Sequence, residues 1–337
     1  MFTTGSRSRG TSLKVAGSVA AVLALMTACS STGGKPDSSG GGMNAGSADT
    51  PRFTVAMVTH GPPGDTFWDL IRKGAETAAA KDNIDLKYSS ELEAPNQANL
   101  IQNALDSDVD AVAVTLAKPE ALAPNVKKAT DAGIPVVAFN AGIDAWKAMG
   151  AKSFFGQDEQ VSGEAAGKRL QEEGAKKVVC VIQDQGNVAL ESRCAGVKAG
   201  MAGGVVENLN VNGTDMPSVQ STIAAKLQED PSIDHIITLG APIALTAVKS
   251  ADNAGSDAKI ATFDTNAALV TAIEDGSVQW AVDQQPFLQG YLAVDSLWLY
   301  LNNRNVIGGG LPTLTGPAFI DKSNIDAIAD YAKKGTR

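Results

Sequence analysis

The chain has 337 residues, 44% hydrophobic and 19% charged, a globular composition long enough for two domains of roughly 150 residues each. Its 28 Lys and Arg stand against 37 Asp and Glu, and the resulting formal charge of −9 argues against a phosphate backbone, or nucleic acid of any kind, as the main partner. Neither His60 nor His235 has a second His or a Cys at ligand spacing, so no metal and no cofactor is expected.

At the N-terminus, Arg7, Arg9 and Lys14 precede an apolar run from Val15 to Met26, too short to span a bilayer and suited to the core of a signal peptide. The run ends in Met26-Thr27-Ala28-Cys29, which resembles the bacterial lipobox; an ordinary cleavage site beside an incidental cysteine is the alternative. The resemblance implies that residues 1–28 are removed and that Cys29 carries the lipid. Residues 29–51, rich in Gly and Ser, read as a flexible tether. Loss of residues 1–28 removes three positive charges and no acid, taking the net charge from −9 to −12. An acidic body on a lipid tether stands off an anionic membrane surface. The expected location is the extracytoplasmic face of the cell membrane.

From Phe53 onward, short apolar runs alternate with longer amphipathic stretches. The runs are Phe53–Thr59, Leu86–Ser89, Ala111–Leu116, Pro135–Phe139, Lys177–Ile182, Asn208–Val211, His235–Leu239, Lys259–Phe263 and Val278–Val282. Near-continuous apolar runs spaced by helices signal buried parallel strands. Phe67, Leu70, Ile71, Gly74 and Ala78 share one helical face, and 215–227 and 241–254 behave similarly. About nine strands with crossover helices predict an α/β fold of two doubly wound parallel sheets. Ligands of such sheets sit beyond the carboxyl ends of the strands. The residues found there are Thr59-His60, Asn140, Asp184, Gly240, Asp264 and Asp283-Gln284-Gln285. Most are neutral or acidic, which suits an uncharged, hydroxyl-rich ligand. Gly61–Gly64 lacks the Lys-Ser/Thr of a phosphate loop.

From Phe53 to the C-terminus the chain resembles the sugar-binding proteins of ABC importers related to the ribose- and galactose-binding proteins. VAMVTHGPPGDTFWDLIRKGAETAA is similar to the family's first strand, polar loop and helix entry. It places Asp65 on a hydroxyl-binding position and Phe67 and Trp68 on the stacking aromatics, with His60 at a site often held by a small polar residue. AGIPVVAFNAG places Asn140 where the family has a hydroxyl-binding Asp, and Ala141 where it often has Arg. FFGQDEQVSGEAAG brings Gln157 and Asp158 to the cleft as the chain enters the second lobe. GNVALESRCAGVKAG resembles the helix whose Arg contacts the sugar, here Arg193, with Glu191 nearby. KIATFDTN sets Asp264 on the polyol-binding carboxylate, and DQQPFLQGY sets Gln284 or Gln285 on the hinge glutamine. Gly240 stands where Asn is usual.

The resemblance implies two lobes, 52–155 plus 285–312 and 156–284 plus 313–337, joined by a multi-strand hinge. It also implies a membrane permease as partner, monomeric state and no enzymatic activity. Aromatics cover the C–H faces of a sugar while Asp, Asn, Gln and Arg meet its hydroxyls through charge-assisted bonds. Ala141 and Gly240 shift the expected ligand towards a furanose such as galactofuranose or arabinofuranose, with a linear polyol or inositol close behind. Simpler roles also exist: Asp65 or Asp264 as a helix N-cap, Asn140 as a turn residue, Arg193 in a surface pair with Glu191. With Cys29 lipidated, Cys180 and Cys194 are the remaining even pair, and a disulfide between them is expected. A repressor effector domain shares this fold but needs a helix-turn-helix where this chain has a leader. A sensor presenting its ligand to a chemoreceptor or kinase would use the same site as an importer's receptor.

Overall fold

The computed structural model describes residues 48–62 and 64–337. The expected signal peptide, Cys29 and most of the tether lie outside the described residues. The last tether positions are pinned to the body: Ala48 N–H donates to the Lys81 carbonyl at 2.7 Å, and the Trp298 indole donates to Thr50 Oγ1 at 3.1 Å. Among the described residues, no helix is long and apolar enough to cross a membrane.

The chain runs β1 (Phe53–Thr59), α1 (Thr66–Lys81), β2 (Ile84–Ser90), α2 (Ala94–Asp106), β3 (Ala111–Thr115), α3 (Pro119–Asp131), β4 (Val136–Phe139) and β5 (Phe154–Gly156). It continues through α4 (Glu159–Glu172), β6 (Lys177–Ile182), α5 (Val188–Gly200), β7 (Val205–Asn210), α6 (Met216–Glu229), β8 (His235–Thr238), α7 (Ala241–Ala254), β9 (Lys259–Phe263), α8 (Ala267–Asp275) and β10 (Trp280–Asp283). The closing elements are α9 (Pro286–Asn303), β11 (Thr313–Leu314), β12 (Ala318–Asp321) and α10 (Asp326–Lys333).

Two six-stranded sheets result, in the orders β11-β5-β4-β3-β1-β2 and β12-β10-β9-β8-β6-β7. All pairings are parallel except β10 with β12. The doubly wound α/β architecture is therefore present in both halves. Within β1, Val55 and Met57 face a core shared with α1 and α9, while Ala56 and Val58 face one shared with α2 and α3. Helices on both faces are the reason these strands read as unbroken apolar runs. The second sheet repeats the plan. Val178, Cys180 and Ile182 pack towards α4 and α5, and Val179 and Val181 towards α6, α7 and α8.

Expected and observed strands coincide at β1, β6 and β9. The strands β5, β11 and β12, of three, two and four residues, lack the length for a periodic signal. The chain passes between the sheets after β5, after β10 and between β11 and β12. β5 at Phe154–Gly156 and β11 at Thr313–Leu314 both belong to the first sheet, so the first crossing follows Gly156 and the last comes at 315–317 rather than after 312.

Glycines let one helix pair in each half approach to backbone contact. A Cβ on Gly74 in α1 would stand 1.9 Å from the Phe287 carbonyl oxygen of α9. Between α4 and α5, Gly163, Gly167, Gly196 and Gly200 each face a carbonyl oxygen of the opposing helix at 2.2–2.3 Å from such a Cβ. The expected disulfide, Cys180–Cys194, ties α5 to β6. Close packing and covalent tie together set where α5 presents Arg193.

Candidate functional site

The carboxyl ends of both sheets face a cleft of about 850 Å³, open mouth included. Asn140 follows Phe139 at the end of β4, and Asp264 follows Phe263 at the end of β9, equivalent places in the two sheets. Both have left-handed backbones, with φ of 63° and 65°, a conformation that Asn and Asp tolerate better than most residues. That turn directs each short polar side chain into the space between the sheets.

A buried polar chain links them. Asn140 Nδ2 donates to Gln289 Oε1 at 3.2 Å and to Gln284 Oε1 at 3.4 Å. Gln284 Nε2 donates to Asp264 Oδ1 at 2.8 Å, and Asp264 Oδ2 lies 3.9 Å from Arg193 Nη1. Arg193 grips Glu159 with Nε and Nη2, the latter at 2.9 Å, and donates from Nη1 to the Leu239 carbonyl at 3.2 Å. Its guanidinium lies over the Phe263 ring, 5.0 Å from the centroid. The acid that pairs with Arg193 is Glu159, whose side chain is 4% exposed, rather than Glu191, and the pair is buried rather than at the surface. A buried cation with a bidentate carboxylate and a carbonyl acceptor is satisfied where a single contact would leave it destabilised.

Burial pushes the Asp264 carboxyl up to about 7, against the downward pull of Arg193 and the Gln284 amide. Burial also raises Asp65, which caps α1 by accepting from Phe67 N–H at 2.9 Å while lining the cleft, so the cap does not take it off the cleft wall. Phe67 is half-buried and Trp68 is buried against Gly61. The His60 and Trp68 rings meet edge-on with centroids 4.6 Å apart. Leu92 from the first half and Leu190, Met216, Leu239 and Ile243 from the second complete an apolar wall. The cleft thus offers aromatic edges on one side and a hydrogen-bonding floor on the other, apolar contact and polar partners for a single small ligand.

His60, Asp65, Phe67, Trp68, Asn140, Arg193, Asp264 and Gln284 are thus brought together. Four sequence candidates stand elsewhere. Gln157 lies buried in the hinge and donates to Glu159 at 2.7 Å, and Asp158 caps α4 through Val161 N–H at 3.0 Å; both line a separate hinge-side cavity. Glu191 accepts from the Gly186 N–H at 3.0 Å on the exposed first turn of α5. Gln285 turns the chain into α9 with φ 58° and donates to the Thr315 carbonyl at 2.7 Å. Trp146 and Trp280 are buried in cores, as packing residues.

Sequence reasoning missed Asn187, Gln183, Thr214 and Thr265 on the cleft wall, and Glu159 beneath it. Asn187 carried a signal, since Gly186-Asn187 ahead of Val188 is an N-cap pattern. Glu159 carried none: nothing local distinguishes it from its acidic neighbour Asp158.

A family model described as a periplasmic binding protein domain matches residues 55–305, and the chain belongs to that family. A carbohydrate transporter from Acidothermus cellulolyticus 11B, solved in complex with myo-inositol, is 58% identical with a TM-score of 0.84, over 85% of this chain and 100% of that one. The xylose/arabinose-binding protein XylF of Sulfolobus acidocaldarius is 24% identical over 294 residues, 82% of this chain and 72% of the relative. A galactofuranose binding protein shares the fold, with a TM-score of 0.75 at 18% identity over 85% of this chain and all of its own.

Proposed function

We propose that this member of the periplasmic binding protein family is an extracytoplasmic receptor for a neutral polyol or monosaccharide, which it delivers to an ABC importer. The preferred ligand is a cyclic polyol of the inositol class. The observation that carries this reading is the buried chain Asn140–Gln284–Asp264–Arg193 beneath the Phe67 and Trp68 edge. It offers acceptors and donors to a hydroxyl perimeter and little net charge to an ionic ligand. The myo-inositol complex at 58% identity supports the cyclic polyol over the furanose inferred from Ala141 and Gly240, because the galactofuranose likeness is one of fold alone.

Closure proceeds by bending the three chain crossings, so that ligand hydroxyls replace water over the floor. Hydroxyls donating to Asp264 favour its charged form, and Arg193 stabilises that charge. Phe67 and Trp68 exclude water from the ring's apolar faces. Lipidation at Cys29 keeps the receptor at the membrane, a monomer presents the closed face to the permease, and the ligand leaves unchanged.

A thermal-shift and titration panel of myo-inositol, other inositols, linear polyols, pentoses, hexoses and amino acids tests the reading. A ligand at about 100 times its Kd adds roughly 2.7 kcal/mol of apparent stability. Myo-inositol is expected to give that shift, and Asp264→Asn, which keeps the left-handed backbone but removes the charge, to weaken binding by about 10- to 100-fold. A response to amino acids alone, or a chemically altered product, overturns the assignment.

A further inference from the structure

The segment from Gln183 to Ala189, which leads from β6 into α5, joins the two halves across one side of the cleft; on the other side Asn266 Nδ2 donates to Thr66 Oγ1 at 3.2 Å. Lys118 Nζ from the first half meets Asp184 Oδ1 at 3.1 Å. Val188 N–H donates to the Ala117 carbonyl at 3.0 Å, and Ala117 and Ala141 pack against Ala189. Beside them, the His60 ring spans the gap. Its Nδ1 lies 2.7 Å from Thr115 Oγ1 on its own side, and its Nε2 lies 3.2 Å from Asn187 Nδ2 on the other.

The Asn187 amide has its orientation set independently. Its Oδ1 accepts from Ala189 N–H at 3.1 Å, capping α5, and its Nδ2 also donates to Asp184 Oδ2 at 3.1 Å. The face towards His60 is therefore a donor, which assigns Nε2 as the acceptor and sets the Nδ1 proton towards Thr115 Oγ1, an oxygen that also takes the His60 backbone N–H at 3.1 Å and the Gln97 amide at 3.2 Å. Both ring nitrogens are thereby engaged by the protein, which leaves His60 no polar atom for a ligand.

We propose that His60 and Asn187 form a cross-cleft latch that engages only with neutral imidazole, so that His60 is a positioning residue for closure and not a ligand contact. The proposal rests on the receptor reading for its meaning but on these contacts for its geometry. Protonation would set two donors against each other at the Nε2–Nδ2 contact and release the latch. Because Asn187 caps the helix that carries Arg193, the same contact holds the floor's cation in register with the first half.

The charged groups facing His60 are Asp184, Lys118 and Arg193; the first favours the imidazolium, the other two oppose it, and burial dominates, taking the ring down to about 4. Parting the halves readmits water, and the ring returns towards its ordinary value of 6.5. Closure then releases a proton. Affinity is full above the open-form value, falls as pH drops below it, and stops falling near the closed-form value. Linkage gives a loss of about tenfold between about pH 7.5 and 5.5. Asp264 and Asp65, both raised by burial, titrate in the same cleft with the opposite sign, so the informative quantity is the difference between variants.

The test uses the intact chain with myo-inositol as probe, measuring Kd and dissociation rate at both pH values for the unmodified protein, His60→Gln and Asn187→Asp. Glutamine is neutral throughout and offers an acceptor, so His60→Gln is expected to lack about tenfold of the acid weakening, mostly in the dissociation rate. Asn187→Asp keeps a capping carboxylate that accepts from imidazolium, so the His60 component should vanish or change sign. Superimposable pH profiles for the unmodified chain and His60→Gln overturn the latch. Hydrogen exchange of the Val188 amide without ligand, corrected for intrinsic rate, supplies a second readout. Acid should deprotect Val188 more in the unmodified chain than in His60→Gln, and equal protection again overturns the proposal. Failure of myo-inositol to bind at either pH counts against the ligand assignment instead, and Val188 protection then decides the latch.

Discussion

Replacing Arg193 with methionine keeps an aliphatic stem in the α4–α5 contact but removes the guanidinium between Glu159 and Asp264. The three side chains are 3%, 4% and 7% exposed, so solvent screens little of the loss. Deleting one partner of a buried pair costs about 3–5 kcal/mol, because the remaining charge stays desolvated without compensation. For lobes of this size that corresponds to a fall in Tm of about 10 °C. The pH dependence has a definite sign. Asp264 already sits at about 7, above the unfolded value of 3.8, so the stability it contributes is fully present below 3.8 and is lost as pH rises through the folded value. Without Arg193 its folded value climbs further. From about pH 6 to 8.5 the variant therefore loses stability more steeply than the unmodified chain, and its deficit widens. Urea unfolding followed by circular dichroism at both pH values measures this. The double variant Arg193→Met with Glu159→Met should recover most of the loss, since exchanging a whole buried pair for apolar groups is often neutral. A single variant within about 1 kcal/mol of the unmodified chain would refute the argument and place the pair among weak, screened contacts.

Removing the Cys180–Cys194 bond by paired alanine substitutions, with 14 residues of separation, should cost about 3 kcal/mol in the chain-entropy account. Thermal unfolding would register this as a drop of several degrees, and thiol titration of the native chain should find neither cysteine free. Gly74→Ala would set a Cβ 1.9 Å from the Phe287 carbonyl oxygen, forcing α1 from α9. A loss of about 1–3 kcal/mol in denaturant unfolding is expected; an unchanged midpoint would mean that the two helices do not pack at backbone distance.

Much of this protein was determined by its sequence alone. The strands β1, β6 and β9 were legible to the residue, because a strand covered by helices on both faces must be apolar at every position, and such a run is a local signal. Strand ends follow from strands, so Asn140, Asp264 and Gln284 could be named as cleft residues before any contact was known. Polar neighbours in the same motifs could not be sorted this way. Asp264 lines the cleft floor while Asp158 caps a helix, and Gln284 joins the polar chain while Gln285 beside it turns away. Those outcomes depend on the backbone angle at one residue. Pairings at long range were likewise decided only by the tertiary structure. Glu159 becomes the partner of Arg193 because four glycine-mediated approaches bring α4 and α5 close enough for their side chains to share one buried position. Asn187 meets His60, 127 residues away, across the cleft between the two halves. Periodicity records which face of an element is buried; it carries no record of what that face is buried against, and the chemistry of this cleft resides in that second choice.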